Sequence, residues 1–229
     1  MKYKYEMHLH TKEASRCGRS SAVEMVRHFK ERGYTGIFVT DHFIGHGSSF
    51  AEENMPWEEQ VEMLVRGYRA AKEEGDRVGL DVFFGFEKAY NECHLLTYNL
   101  DGEWILKNRD IVTIGAKEYC EKIHAAGGFI VHAHPFRCIG SPVLLVPEGV
   151  DAIEVKNACN CDEANRRGAL YRDMLKFPPT GGSDIHITTQ ARRFGIETDR
   201  RIGCGADYLS ILKSGEYKIF EDKCEADTE

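Results

Sequence analysis

Apolar runs of strand length recur along this chain, separated by amphipathic helical stretches, and most close on a histidine, aspartate or glutamate. Alternation of this kind specifies a parallel sheet with helices packed on it, and polar residues collected at strand ends specify one shared rim. The ligand-type segments are His8-Leu9-His10, Asp41-His42, Glu87 with His94, His134-Pro135, and Asp184-Ile185-His186. In the first and last, two donors stand two residues apart, so on extended backbone both side chains share a face.

The connecting stretches carry helix signals. Ser21 is placed as an N-cap with Glu24 closing a capping box, Met25, Val26 and Phe29 supply an apolar face, and Gly33 stops the helix. Ile37-Phe38-Val39-Thr40 then delivers Asp41-His42. Pro56-Trp57 opens a long helix with Val61, Leu64, Val65, Tyr68 and Ala71 at helical spacing, closed by Gly75. Asp81 to Phe86 reads as a strand ending on Glu87, and His94 to Tyr98 as another. Ile114 to Ala126 reads as a helix feeding a strand from Gly128 to His134. A strand at 151–155, a helix from Asp162 to Leu175 and a Gly-rich approach to Asp184 follow. About seven alternations favour a barrel over an open sheet. An open doubly wound sheet would carry a phosphate-binding glycine loop after its first strand, and no GxGxxG or GxxxxGK[ST] occurs.

At 229 residues the chain fits one domain, taken as 1–221 with an acidic tail at 222–229. A net charge of -7 argues against broad binding to nucleic acid, and no apolar stretch approaches membrane-spanning length. The N-terminus shows no signal peptide, and the eight cysteines lack a CxxC pair, so a cytoplasmic protein with reduced thiols is expected. Cys159-Asn160-Cys161 is the one close cysteine pair.

Imidazole and carboxylate together suit zinc, iron and manganese. A single HxH or Asp-x-His is more often a surface pair, but five such segments in this order outweigh that reading. Glu6-Met7-His8-Leu9-His10-Thr11, Thr40-Asp41-His42, Gly85-Phe86-Glu87, His134-Pro135-Phe136-Arg137 and Gly182-Ser183-Asp184-Ile185-His186 together resemble the PHP (polymerase and histidinol phosphatase) family, from residue 6 to about 190. The resemblance implies an α/β fold, a distorted TIM-like (βα)7 barrel with its site at the C-terminal rim, binding two or three divalent ions (Zn, Mn or Fe).

Carried over by position, His8 and His10 would hold a first metal with Glu87 and Asp184. Glu87 would bridge to a second held by His94 and His134, and a third would take His42 and His186. Where the family often has a further His or Asp, this chain offers Glu13. Glu6 replaces the family's usual Asp and is expected to orient His8, while Asp41 is expected to hold a neighbouring imidazole. His132 is read as a core histidine, and His28, His46 and His124 as helix or loop surface residues.

The implied chemistry is phosphoester hydrolysis of a small phosphorylated metabolite or nucleotide, the nucleophile being a hydroxide bridging the metals. Glu87 or Asp184 could move the leaving-group proton, and Arg137 is the best-placed counter-charge for phosphate, ahead of Arg16, Arg19, Lys88 and Arg192. Two alternatives compete: a hydrolase of amidohydrolase type acting on a non-phosphate bond, and a non-catalytic metal-binding regulatory module.

Overall fold

The computed structural model describes residues 2–52, 54–91, 93–137, 145 and 147–223. Nine strands form one sheet: β1 (Tyr3–Glu6), β2 (Gly36–Val39), β3 (Asp81–Tyr90), β4 (Cys93–Tyr98), β5 (Phe129–Ala133), β6 (Ala152–Asn157), β7 (Pro179–Gly182), β8 (Arg192–Thr198) and β9 (Tyr217–Lys223). Their spatial order is β7-β6-β5-β4-β3-β2-β1-β8-β9. Just beyond the strand ends, Leu9 pairs with Ile185 in a parallel bridge, with the His10 amide donating to Ile185 O at 2.9 Å. That bridge joins the β1 side to the β7 side, so β1 to β7 form a nearly closed barrel and β8-β9 extend from its β1 edge.

Among the described residues, six α-helices accompany the sheet: α1 (Ala22–Glu31), α2 (Trp57–Val78), α3 (Gly102–Lys107), α4 (Ala116–Ala125), α5 (Asp162–Leu175) and α6 (Gly205–Ser214). α1 begins with the expected Ser21/Glu24 capping box, and α5 has the expected bounds. α2 does not stop at Gly75. It runs to Val78 and ends on Gly79 in the left-handed conformation, because Gly75 is buried where an added Cβ would lie 2.5 Å from Val82 Cγ2.

Strict strand-helix repetition is broken twice. β3 continues past Glu87 to Tyr90 and returns directly as β4, antiparallel to both β3 and β5. β7 leads to β8 without a helix. The antiparallel β4 explains why His94 begins its apolar run instead of closing it: the N-terminal end of β4 lies at the rim where the parallel strands end. Asp222 and Lys223 belong to β9, not to a tail, and Asp222 pairs with Arg32 and Arg193; residues 224–229 lie outside the described residues.

Phe38, Leu96, Tyr98, Phe129, Val131, Ala133 and Ala152 pack with Tyr208 and Ile211 of α6 in one buried cluster. Strand alternation puts His94 on the face of Leu96 and Tyr98, Glu154 on that of Ala152, and Glu87 on that of Gly85. The apolar layer therefore underlies the polar one, and the barrel's C-terminal end is floored with hydrocarbon.

One helix crossing reaches that polar layer. Gly67 of α2 lies against Thr11 and Asp41, where an added Cβ would sit 2.5 Å from Asp41 Oδ2 and closer still to Thr11 Oγ1. Both side chains are buried and bonded to each other at 2.7 Å, so neither can yield freely. Gly67→Ala is expected to destabilise the fold by roughly 1–3 kcal/mol through overpacking, although alanine is the better helix former. Urea unfolding checks this; an unchanged midpoint would refute the tight crossing.

Candidate metal centre

The rim gathers eight donor residues from six segments. His8 and His10 follow β1, His42 follows β2, Glu87 lies in β3, His94 opens β4, and His134 leaves β5. Asp184 with His186 leaves β7. His134 (φ 26°) and Asp184 (φ 51°) both hold left-handed backbone, which costs a non-glycine residue energy and swings each side chain off its strand's alternation.

Glu87 is the hub. Its Oε1 lies 2.7 Å from His94 Nδ1 and 3.2 Å from His134 Nε2. Its Oε2 lies 2.9 Å from His42 Nδ1 and 3.3 Å from His10 Nε2. Asp184 Oδ1 stands 3.2 Å from His10 Nε2 and 3.6 Å from His8 Nε2. Three donor trios of the expected residues each have ligand atoms within 4.8 Å of one another: His8 with His10 and Asp184, His8 with Glu87 and His134, and His10 with His42 and His186.

The electrostatics fit divalent cations. Burial alone would raise Glu87 and Asp184, yet the imidazoles crowding them hold both well below the usual carboxylate range. Burial pulls His10 down, but Asp184 and Glu87 outweigh it and raise the ring to about 9. His42, buried beside His10, falls to about 3. Two ionised carboxylates at full burial demand positive charge, which a metal ion supplies. Glu87 Oε2, Asp184 Oδ1 and His42 Nδ1 are buried and face one another or a ring nitrogen at 2.9–3.3 Å, yet none completes a hydrogen bond among the described residues. Lone pairs that converge without bonding suit metal ligation.

Orientation of the rings is settled by groups that sequence reading passed over. His8 Nδ1 donates to Glu154 Oε1 at 3.1 Å, which leaves Nε2 facing the cluster. The same Glu154 accepts from the His134 amide at 3.0 Å and from Asn157 Nδ2 at 2.9 Å. His186 Nδ1 donates to the Asp184 carbonyl at 2.7 Å, again freeing Nε2. Within an apolar strand pattern Glu154 looked like one residue among others, its only signal being a carboxylate on an interior position.

Several expected placements change. Glu6 does not orient the His8 ring: its Oε1 accepts from the backbone amides of His8 and Ser183, each at 2.8 Å. Among the described residues Asp41 makes no hydrogen bond to an imidazole but holds Thr11 and Ser15, and Ser15 Oγ stands 3.5 Å from His10 Nδ1. Glu13 is not brought to the cluster. Its carboxylate accepts from the Ala22 amide at 2.9 Å, stabilising the start of α1, where the helix dipole favours an anion. His46 is a partly buried loop residue, as expected, and its ring also stacks on His42 with centroids 4.1 Å apart. Lys88 points away from Glu87 into Phe43, Tyr90 and Tyr119, as strand alternation requires, and Arg192 pairs with Asp162 and Glu221. Arg16 pairs with Glu52, and Arg137 alone of the phosphate candidates pairs with a cluster carboxylate, its Nη1 2.9 Å from Asp184 Oδ2. His132 is buried beside Cys93, as a core histidine.

No protein-family model matches the sequence, and no curated protein does. Solved structures match in fold. A two-domain protein from Bacteroides vulgatus containing a predicted PHP-like metal-dependent phosphoesterase superposes with a TM-score of 0.71 at 16% identity, over 96% of this chain. This chain spans 65% of that protein. An amidohydrolase from Chromobacterium violaceum, with bound sulfate and no metal, gives 0.56 at 15% identity, covering 98% of this chain and 99% of that one. The lesion-specific endonuclease EndoQ from Pyrococcus furiosus gives 0.58 at 14% identity, covering 96% and 58%. Hydrolases that share this barrel thus act on different bonds, and it is the architecture they have in common with this chain. In fold, the chain is similar to solved structures that include a predicted PHP-like metal-dependent phosphoesterase.

Proposed function

We propose that the chain is a metal-dependent phosphoesterase acting on a small phosphorylated metabolite or nucleotide. The observation that carries this reading is Arg137. Its guanidinium lies against Asp184 and 3.5 Å from His134 Nε2, while 38% of its side chain remains exposed. A half-exposed guanidinium beside the donor cluster can reach a phosphoryl oxygen without leaving the rim.

His8, His10, Glu87 and Asp184 would hold a first ion, Glu87 with His94 and His134 a second, and His42 with His186 a third. Two or three such ions (Zn, Mn or Fe), when bound, supply Lewis acidity for in-line displacement at phosphorus and bring a water toward ionisation. Arg137 binds the non-bridging phosphoryl oxygens and stabilises charge as the ester bond breaks. Glu87 and Asp184 are the carboxylates placed to pass a proton to the leaving oxygen. Phe38, Leu96 and Tyr98 of the apolar barrel beneath keep bulk water from the underside of the cluster.

The amidohydrolase alternative gains no support from a lysine, since Lys88, adjacent in sequence to Glu87, faces away from the site. We read the chain as a cytoplasmic single-domain protein. The six described cysteines are free thiols, in keeping with a reducing compartment, and no described helix is long and apolar enough to cross a membrane.

Arg137→Ala is expected to lower kcat/KM for phosphate release by roughly 10- to 100-fold, the value of a charge-assisted hydrogen bond, with metal content unchanged. A panel of phosphomonoesters, phosphodiesters and nucleotides assayed with Zn, Mn and Fe tests the reading itself. Turnover of lactams or amides with no phosphate released from any member would overturn it, as would tight metal binding without turnover.

A further inference from the structure

The loop after β6 brings one more donor to the rim. Asn157 Oδ1 accepts from the Cys159 amide at 2.9 Å, the Asn157 amide donates to Asn165 Oδ1 at 3.0 Å, and Asn165 Nδ2 donates back to Asn157 O at 3.0 Å. Both asparagines are buried, so the loop that presents the thiol is tied to α5. Cys159 Sγ donates to the Asp184 carbonyl at 3.2 Å. Sγ, a carboxylate oxygen of Asp184 and a ring nitrogen of His186 lie within 4.8 Å of one another.

Independent features mark this corner as a ligand position. Asp184 Oδ1 is buried without a hydrogen-bond partner among the described residues. His186 uses Nδ1 on the Asp184 carbonyl, so its Nε2 lone pair is the free one. Glu13, the residue expected to complete a third donor set, is committed to the start of α1 instead.

We propose that Cys159 is a metal ligand acting with Asp184 and His186, so that one thiolate stands among the imidazoles and carboxylates of this centre. Coordination forms a metal–sulfur bond and releases the thiol proton to solvent, with no change in oxidation state. A thiolate favours zinc or cobalt over manganese at this position, because soft sulfur donors discriminate against the harder ion. Cys161, two residues on, caps α5 and enters no donor trio among the described residues, which makes it the natural control.

Cobalt substitution of the full chain tests it through absorption. The wild type and Cys161→Ser are expected to show the near-ultraviolet thiolate-to-cobalt charge-transfer band, and Cys159→Ser to lose it while keeping the visible ligand-field bands of bound cobalt. Cys159→Asp, which retains a donor, should bind cobalt without the charge-transfer band and guards against a folding failure in the serine variant. Competition against a chelator should show zinc affinity at the weakest-held site reduced about 10- to 100-fold in Cys159→Ser, with manganese affinity unmoved. Absence of the charge-transfer band in the wild type, or its persistence in Cys159→Ser, overturns the proposal.

Discussion

Glu87→Gln is expected to remove both the metal complement and turnover. Four imidazoles converge on this one carboxylate: His94 and His134 on Oε1, His42 and His10 on Oε2, all within 3.3 Å. Glutamine keeps the shape but loses the charge and replaces an acceptor with an NH2 donor, which can neither bridge ions nor accept from a ring. Residues that only orient ligands typically change metal affinity or activity by 10- to 100-fold, so a bridging ligand should cost about 100-fold or more in activity. Metal analysis after dialysis should show fewer ions per chain than in the wild type. Wild-type stoichiometry together with wild-type turnover in Glu87→Gln would remove Glu87 from the centre.

The donors were legible in the sequence because their types are restricted and each adjoins an apolar run. His8, His10, His42, Glu87, His94, His134, Asp184 and His186 all reach the rim, as residue chemistry and strand placement require. The hairpin from β3 to β4 was less legible. Glu87 seemed to end its strand, since nothing in Lys88-Ala89-Tyr90 announces that the strand continues, whereas pairing with His94, Leu95 and Cys93 settles it. β8, α6 and β9 were not anticipated at all. Their sequences carry weak periodicity, and β8 and β9 stabilise each other by pairing that no local window contains.

Glu13 shows a different limit. A carboxylate five residues after His8 is equally plausible as a ligand or as a partner for a helix start, and only the path of the chain into α1 decides. Here the amide of Ala22 claims it. The left-handed backbone at His134 and Asp184 was hidden too, because His and Asp enter positive φ more often than most residues but nothing local marks which of them do. Both turns arise where tertiary pairing holds the strands and the side chains must face inward, which is tertiary information.

Glu154 carries the second large expectation. Its hydrogen bonds run to a ring, a backbone amide and a side-chain amide at once: His8 Nδ1, the His134 amide and Asn157 Nδ2. It therefore positions two donors, one by setting its tautomer and one by fixing left-handed backbone. Gly182 leaves room for this packing, since a Cβ there would lie 2.6 Å from both Glu154 Oε1 and His8 Cβ. Glu154→Ala removes all three acceptor contacts, leaves the His134 amide buried without a partner, and should cost about 1–3 kcal/mol of stability for that amide alone. Metal affinity should fall about 10- to 100-fold as His8 loses its fixed tautomer. Glu154→Gln is expected to fall between the two proteins, because its carbonyl oxygen can serve one donor while its NH2 must face another. Chelator competition and urea unfolding measured together separate the effects: lost affinity with near-normal stability in Glu154→Gln indicates ring positioning, and wild-type affinity in Glu154→Ala would show that His8 needs no carboxylate behind it.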